Sequence, residues 1–130
     1  GGTVSAVLDA YRSGNARVRD ALAAMKALAM QMAFALEAGD LTALGALLGE
    51  HWVYQRSLHP AIPTPRIDEI IRRAELAGAL GWKAMGASGG GCVLLLAGPH
   101  NGGAVRSAVA SLGAVVPFAL DAEGLAVVGE

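Results

Sequence analysis

The chain has 130 residues, of which 54 % are apolar and 5 % aromatic, and its formal net charge is -1. That length fits one domain able to bury a core without disulfides or metal, and the near-zero charge gives no bulk electrostatic reason to expect nucleic acid or an anionic membrane as partner. Mean hydropathy is high at +0.47, but the longest apolar stretch, 27–38, is broken by Gln31 and Glu37 and follows Lys26, short of the roughly 20 apolar residues a spanning helix needs.

In chain order, residues 1–14 carry Val4, Val7, Leu8 and Tyr11 and read as a short helix or turn closed by Ser13 and Gly14. Asn15 is a natural N-cap for a helix over 16–38, in which Val18, Leu22, Met25, Ala29, Met32 and Leu36 form one apolar stripe at helical spacing. Gly39 suits the left-handed residue that ends such a helix. Asp40 can cap a second helix over 41–58, with Leu44, Leu48 and Trp52 on one side. Gly45 and Gly49 leave that helix a smooth strip which a neighbour can approach closely. Pro60, Pro63 and Pro65 then force an extended loop. Thr64 followed by Pro65 is an N-cap with proline at the first helical position, opening a helix to about residue 77 with Ile67, Ile70, Ile71 and Ala74 inward.

After Gly78 the period changes from helix to strand. Residues 79–85 and 92–97 read as strands joined by 86–91, and 99–103 as a turn. A short helix over 104–112 turns Val105, Val109 and Leu112 inward. Strands over 115–120, with Pro117 at an edge or bulge, and 125–128 complete the chain around a turn at 121–124. The order α-α-α-β-β-α-β-β predicts a single α+β domain over 1–130, its helices packed on one face of a mostly antiparallel sheet. The single cysteine, Cys92, begins what reads as a buried strand. It cannot form an internal disulfide and fits a reducing, cytoplasmic compartment. The opening Gly1-Gly2-Thr3, with no initiator methionine or signal peptide, is what a fragment or processed chain would show.

The chemically informative stretch is Gly81-Trp82-Lys83-Ala84-Met85-Gly86-Ala87-Ser88-Gly89-Gly90-Gly91-Cys92. Consecutive glycines leave backbone N–H groups unshielded, free to converge on an anion. A flexible hairpin between two strands explains the same residues. The stretch is not a Walker A loop, since no Gly-Lys-Ser/Thr follows. It is not the dinucleotide fingerprint either, since a strand rather than a helix comes next.

This segment resembles the third motif of the GHMP kinases, a lysine followed by Gly-Ala-Gly-Gly-Gly-Gly and a hydrophobic strand. Lys83, Gly86, Ala87, Gly89, Gly90 and Gly91 match it, and Ser88 stands where the family has glycine. The resemblance extends to Asn15-Ala16-Arg17-Val18, Glu50-His51-Trp52, Arg56-Ser57-Leu58, Ile62-Pro63-Thr64-Pro65-Arg66-Ile67-Asp68 and Ala77-Gly78-Ala79-Leu80-Gly81. Those stretches are similar to the sugar-phosphate branch, that of the D-glycero-D-manno-heptose 7-phosphate and galactokinase-like sugar kinases.

The resemblance implies a ferredoxin-like C-terminal domain, whose N-terminal partner domain would bind ATP and Mg2+ and carry the catalytic residues. No catalytic or metal-binding residue is assigned to this chain, which alone would transfer nothing. Gly86, Ala87, Ser88, Gly89, Gly90 and Gly91 would form the nucleotide-side loop facing the cleft. Lys83, Arg56, Trp52 and His51 are the acceptor-side candidates for a sugar or sugar phosphate. Each has a plainer reading: a solvated strand lysine, a solvent-facing arginine, a core or interdomain tryptophan, a helix-surface histidine. His59 and His100 read as loop residues, Asp68 and Glu69 as first-turn acids, and Arg72 and Arg73 as a solvated helix face. An exposed apolar face built on Gly45, Gly49, Trp52 and the alanine-rich helix would meet the partner domain or a second copy in a homodimer. Two alternatives stay open: a standalone ferredoxin-like ligand-binding or regulatory domain, and a kinase of the same superfamily for galactose, mevalonate, homoserine or another alcohol.

Overall fold

Local capping places the helix ends. In the computed structural model, which describes residues 2–85, 92–113, 120–121 and 124–125, helix α1 spans Gly2–Arg12 and helix α2 spans Ala16–Ala38. The Asn15 side chain accepts a hydrogen bond from the Val18 N–H at 3.2 Å. At the other end of α2, Gly39 takes φ 69°. Its N–H donates to Leu36 O at 3.1 Å, and the Asp40 N–H donates to Ala35 O at 2.9 Å, the paired closure of a Schellman motif. Helix α3 spans Leu41–Ser57 and begins where Asp40 accepts from the Ala43 N–H at 3.0 Å. Helix α4 spans Pro65–Leu76, with the Thr64 hydroxyl accepting from the Ile67 N–H at 3.1 Å. Each such cap contributes about 1 kcal/mol.

Strands β1 (Ala79–Met85) and β2 (Cys92–Ala97), helix α5 (Gly102–Val109) and the short strands β3 (Leu120–Asp121) and β4 (Gly124–Leu125) follow. Residues 2–12, expected as a short helix or turn, form a full helix, so the order is α-α-α-α-β-β-α-β-β. Helix α5 starts inside the expected 99–103 turn and ends three residues before the expected 112. The expected strands over 115–120 and 125–128 fall largely outside the described residues. Their described parts pair as a tight antiparallel hairpin, Leu120 opposite Leu125 and Asp121 opposite Gly124.

The core stripe of α2 is rotated from the one its periodicity suggests. Val18, Ala21, Leu28 and Ala35 are the buried positions, whereas Ala29 is exposed and Leu22 and Leu36 are half-buried. Small residues on the contact line let the backbone of α3 come close. The opposite side of α2 leaves Met30 60 % and Phe34 68 % exposed. By length and composition α2 is apolar enough to cross a membrane, a point the reading of 27–38 alone misses. That property by itself does not make it a membrane segment, and here α2 packs along α3.

Strands β1 and β2 pair antiparallel, with Trp82 opposite Leu95, Lys83 opposite Leu94 and Ala84 opposite Val93. Alternation along the strands therefore gives two faces. Leu94 and Leu96 pack with Ala35, Leu44 and Leu48 of α2 and α3. Leu95 and Ala97 pack with Ala74, Val105 and Val109 of α4 and α5. Helices α4 and α5 thus share one face, as the fold class requires, and the α2–α3 pair is added on the other. A third cluster joins Trp52 of α3 to Ile62, Ile67, Ile71 and Ala84, with Trp82 and Val93 against it. Arg66 of α4 donates through Nε to Leu112 O at 2.8 Å, beyond the end of α5. Cys92, the first residue of β2, is exposed rather than buried.

Candidate functional site

Antiparallel register decides where Lys83 points. Residues directly opposite one another share a face, so Lys83 lies with Leu94 on the side of the sheet that meets α2 and α3. His51 lies on α3, the helix that packs along β1. Both residues are half-buried. The His51 Nδ1 is shielded from solvent and has no hydrogen-bond partner among the described residues. Burial, and secondarily the charge of Lys83, push the His51 pKa below the usual imidazole value. Burial likewise pulls the Lys83 ammonium below its usual range. Among the described residues the ion pairs involve Arg56, Arg72 and Arg73, and none involves Lys83. Each of these two nitrogen groups is thus partly withdrawn from water.

Arg56 belongs to a separate arrangement. It is five residues along α3 from His51, about 140° around the helix at 3.6 residues per turn. Its Nη2 lies 3.4 Å from the Asp68 carboxylate of α4, both side chains being over 40 % exposed. Its guanidinium carbon lies 5.7 Å from the centre of the Trp52 ring. An exposed pair of this kind contributes at most about 1 kcal/mol. Trp52 is only 2 % exposed and belongs to the core. It offers a substrate no open face, and its ring instead backs Arg56. The acceptor-side candidates therefore separate into His51 with Lys83, and Arg56 on Trp52.

Residues 86–91, the loop candidates Gly86, Ala87, Ser88, Gly89, Gly90 and Gly91, lie outside the described residues. Met85 and Cys92 pair across the hairpin, so this segment connects the paired ends of β1 and β2. Asp68 is the partner that sequence reasoning missed. Twelve residues and a proline-rich loop separate it from Arg56, and no spacing rule spans such a gap. Glu69 is held by hydrogen bonds from Arg72 at 2.6 Å and Arg73 at 2.8 Å, which lower its pKa to about 2. This is a helix-surface network rather than a catalytic pair. His59 turns its Nδ1 to accept from the Ala61 N–H at 3.0 Å, shaping the proline loop.

The exposed apolar surface also differs from the expected one. Gly45 is buried against β1 and Trp52 is in the core. The outward apolar groups instead include Met30 and Phe34 on α2, Val53 and Tyr54 on α3, Leu8 and Tyr11 on α1 and Leu76 at the end of α4. An open groove of about 310 Å³ between α2 and α3 is lined by Arg17, Asp20, Ala21, Val53, Tyr54 and Ser57. Among the described residues no three His, Cys, Asp or Glu side chains gather as a metal site would require.

Comparison with known proteins adds three findings. The family profile described as GHMP kinases C terminal matches residues 32–115. No curated protein matches the chain. Among solved structures, the crystal structure of L. major mevalonate kinase in complex with R-mevalonate is similar, with a TM-score of 0.74 at 22 % identity. That match covers 85 % of this chain and 33 % of the other, so the chain spans one third of that kinase, and at this identity the likeness concerns the fold.

Proposed function

The chain belongs to the GHMP kinases, in their C-terminal region, and we propose that it is the acceptor-side part of an ATP-dependent kinase that phosphorylates a hydroxyl of a sugar or sugar phosphate. The observation that carries this reading is the family match, which runs continuously from α2 through α3, α4 and the β1–β2 hairpin into α5.

Phosphoryl transfer depends on positioning and charge stabilisation more than on covalent chemistry by the protein. This domain's part is to hold the acceptor and to close the cleft. The backbone of 86–91 would face the nucleotide side. Lys83, His51 and Arg56 would hold the acceptor, and Trp52 would fix Arg56 from within the core. On the family resemblance, ATP, Mg2+ and the catalytic residues are assigned to an N-terminal kinase domain. Bound there, Mg2+ would neutralise charge on the transferring phosphate.

Within the sugar reading we favour a heptose 7-phosphate-like acceptor, on the sequence resemblance of 50–58 and 62–68 to that branch. A second reading, a kinase for a smaller hydroxy acid, is favoured by the solved relative with R-mevalonate bound. The test is ATP turnover by the full-length protein against sugar phosphates, free sugars, mevalonate and homoserine. Turnover with a sugar or sugar phosphate is expected. Turnover with mevalonate alone would select the second reading, and no turnover with any alcohol would favour a ligand-binding or regulatory domain.

A further inference from the structure

We propose that the outward side of α2 is the contact surface of a homodimer, in which α2 packs antiparallel against α2 of a second copy of this chain. The two-fold axis crosses midway between positions 28 and 29. The inference goes beyond the kinase reading, since none of the residues assigned to the acceptor takes part in it.

Ala23, Ala27, Met30 and Phe34 lie on the side of α2 turned away from its core positions Val18, Ala21, Leu28 and Ala35, at helical spacing and all exposed. Their order along the helix, two small residues and then two large ones, complements itself only when reversed. Antiparallel pairing sets Ala23 against Phe34 of the partner subunit and Ala27 against Met30 of the partner subunit, and the two-fold repeats both contacts. A parallel pair would set large against large and small against small. The charges beside this stripe point the same way. Arg19 and Glu37 are eighteen residues apart, five whole turns, and so share one flank of α2. A cation near the start of a helix and an anion in its last turn each stand where the helix dipole disfavours them. Among the described residues neither forms an ion pair. Tyr11 holds Arg19 in place, its carbonyl accepting from Arg19 Nε at 3.2 Å and its ring centre lying 4.9 Å from the guanidinium carbon. The axis that matches the apolar pairs also brings the partner's Glu37 level with Arg19 to within one residue, about 1.5 Å along the helix. Each misplaced charge then meets its opposite, and the two helix dipoles run head to tail. Asp20 is about 100° around the helix from Arg19 and stays off this flank. One helix pair lies at or below the roughly 800 Å² per partner of standard interfaces, so a reversible dimer with a micromolar Kd is expected.

Sedimentation equilibrium of the full-length protein carrying this chain tests the proposal. A monomer–dimer equilibrium is expected. Met30→Glu, which would bury a charge against the partner's Ala27, should weaken dimerisation at least tenfold. Leu76→Glu, at an exposed apolar residue of α4, should leave it within about a factor of two. Arg19→Glu and Glu37→Arg should each weaken it by setting like charges together, and the two combined should restore it to within about threefold of the parent. Circular dichroism checks that each variant is folded, and Phe34→Ser replaces Met30→Glu if that variant is not. A protein that stays monomeric at all concentrations overturns the proposal and leaves this face to another part of the full-length chain. A dimer unmoved by a folded Met30→Glu or Phe34→Ser overturns it as well. A dimer weakened by both single charge changes but not recovered by their combination overturns the antiparallel register.

Discussion

Gly45 of α3 and Gly81 of β1 meet backbone to backbone. A Cβ built on Gly81 would overlap the Gly45 carbonyl, and one built on Gly45 would overlap the carbonyl of Leu80. This contact sets how closely α3 approaches β1. Gly45→Ala is expected to destabilise the domain by about 1–3 kcal/mol, the usual cost of overpacking. Gly49→Ala, with nothing within 4 Å, is expected to stabilise α3 by about 0.5–1 kcal/mol through helix propensity. Urea unfolding of the two variants checks the contrast, and equal effects would mean that the close approach does not exist.

The Arg56 guanidinium lies over the Trp52 ring, yet the two residues should respond very differently to substitution. Trp52→Ala empties a core position that is 2 % exposed and should cost about 3–5 kcal/mol of stability. Arg56→Met removes an exposed pair and should cost less than about 1 kcal/mol. In the full-length kinase its effect should fall on the KM for the acceptor rather than on folding. A wild-type KM in a folded Arg56→Met protein would remove Arg56 from the acceptor site.

His51 should make stability depend on pH. Its folded pKa lies below the ordinary 6.5, so the unfolded chain binds more protons near and below that value. Unfolding free energy then falls as pH drops through 6.5 toward the folded pKa, and levels off below it. His51→Gln should remove this decline. Urea midpoints measured between pH 7.5 and 5 for both proteins test it, and parallel curves would contradict the burial of His51.

The glycine segment makes a prediction in the full-length protein. Gly90→Val should abolish phosphoryl transfer while leaving the far-ultraviolet circular dichroism near that of the parent. Retained activity would reduce residues 86–91 to a plain hairpin connection.

Much of this fold was legible because its signals are local. Asn15, Asp40 and Thr64 cap their helices with their own side chains, within three residues of the N–H groups they satisfy. Gly39 ends α2 because a left-handed residue closes a helix most readily when it has no Cβ. The β1–β2 hairpin shows as two apolar runs around a glycine segment. These are properties of neighbouring residues, and the sequence alone determines them.

What the tertiary structure decided is which faces meet. Periodicity could not tell Val18, Ala21, Leu28 and Ala35 from the adjacent stripe, because alanine-rich helices offer two nearly equivalent apolar sides and the partner chooses between them. It could not tell Gly45 from Gly49, since only the passage of β1 distinguishes them. Nor could it bring Gly81 against Gly45, or Asp68 to Arg56. Those pairings join residues far apart in the chain, and they exist only once strand register and helix packing have fixed the distances between them.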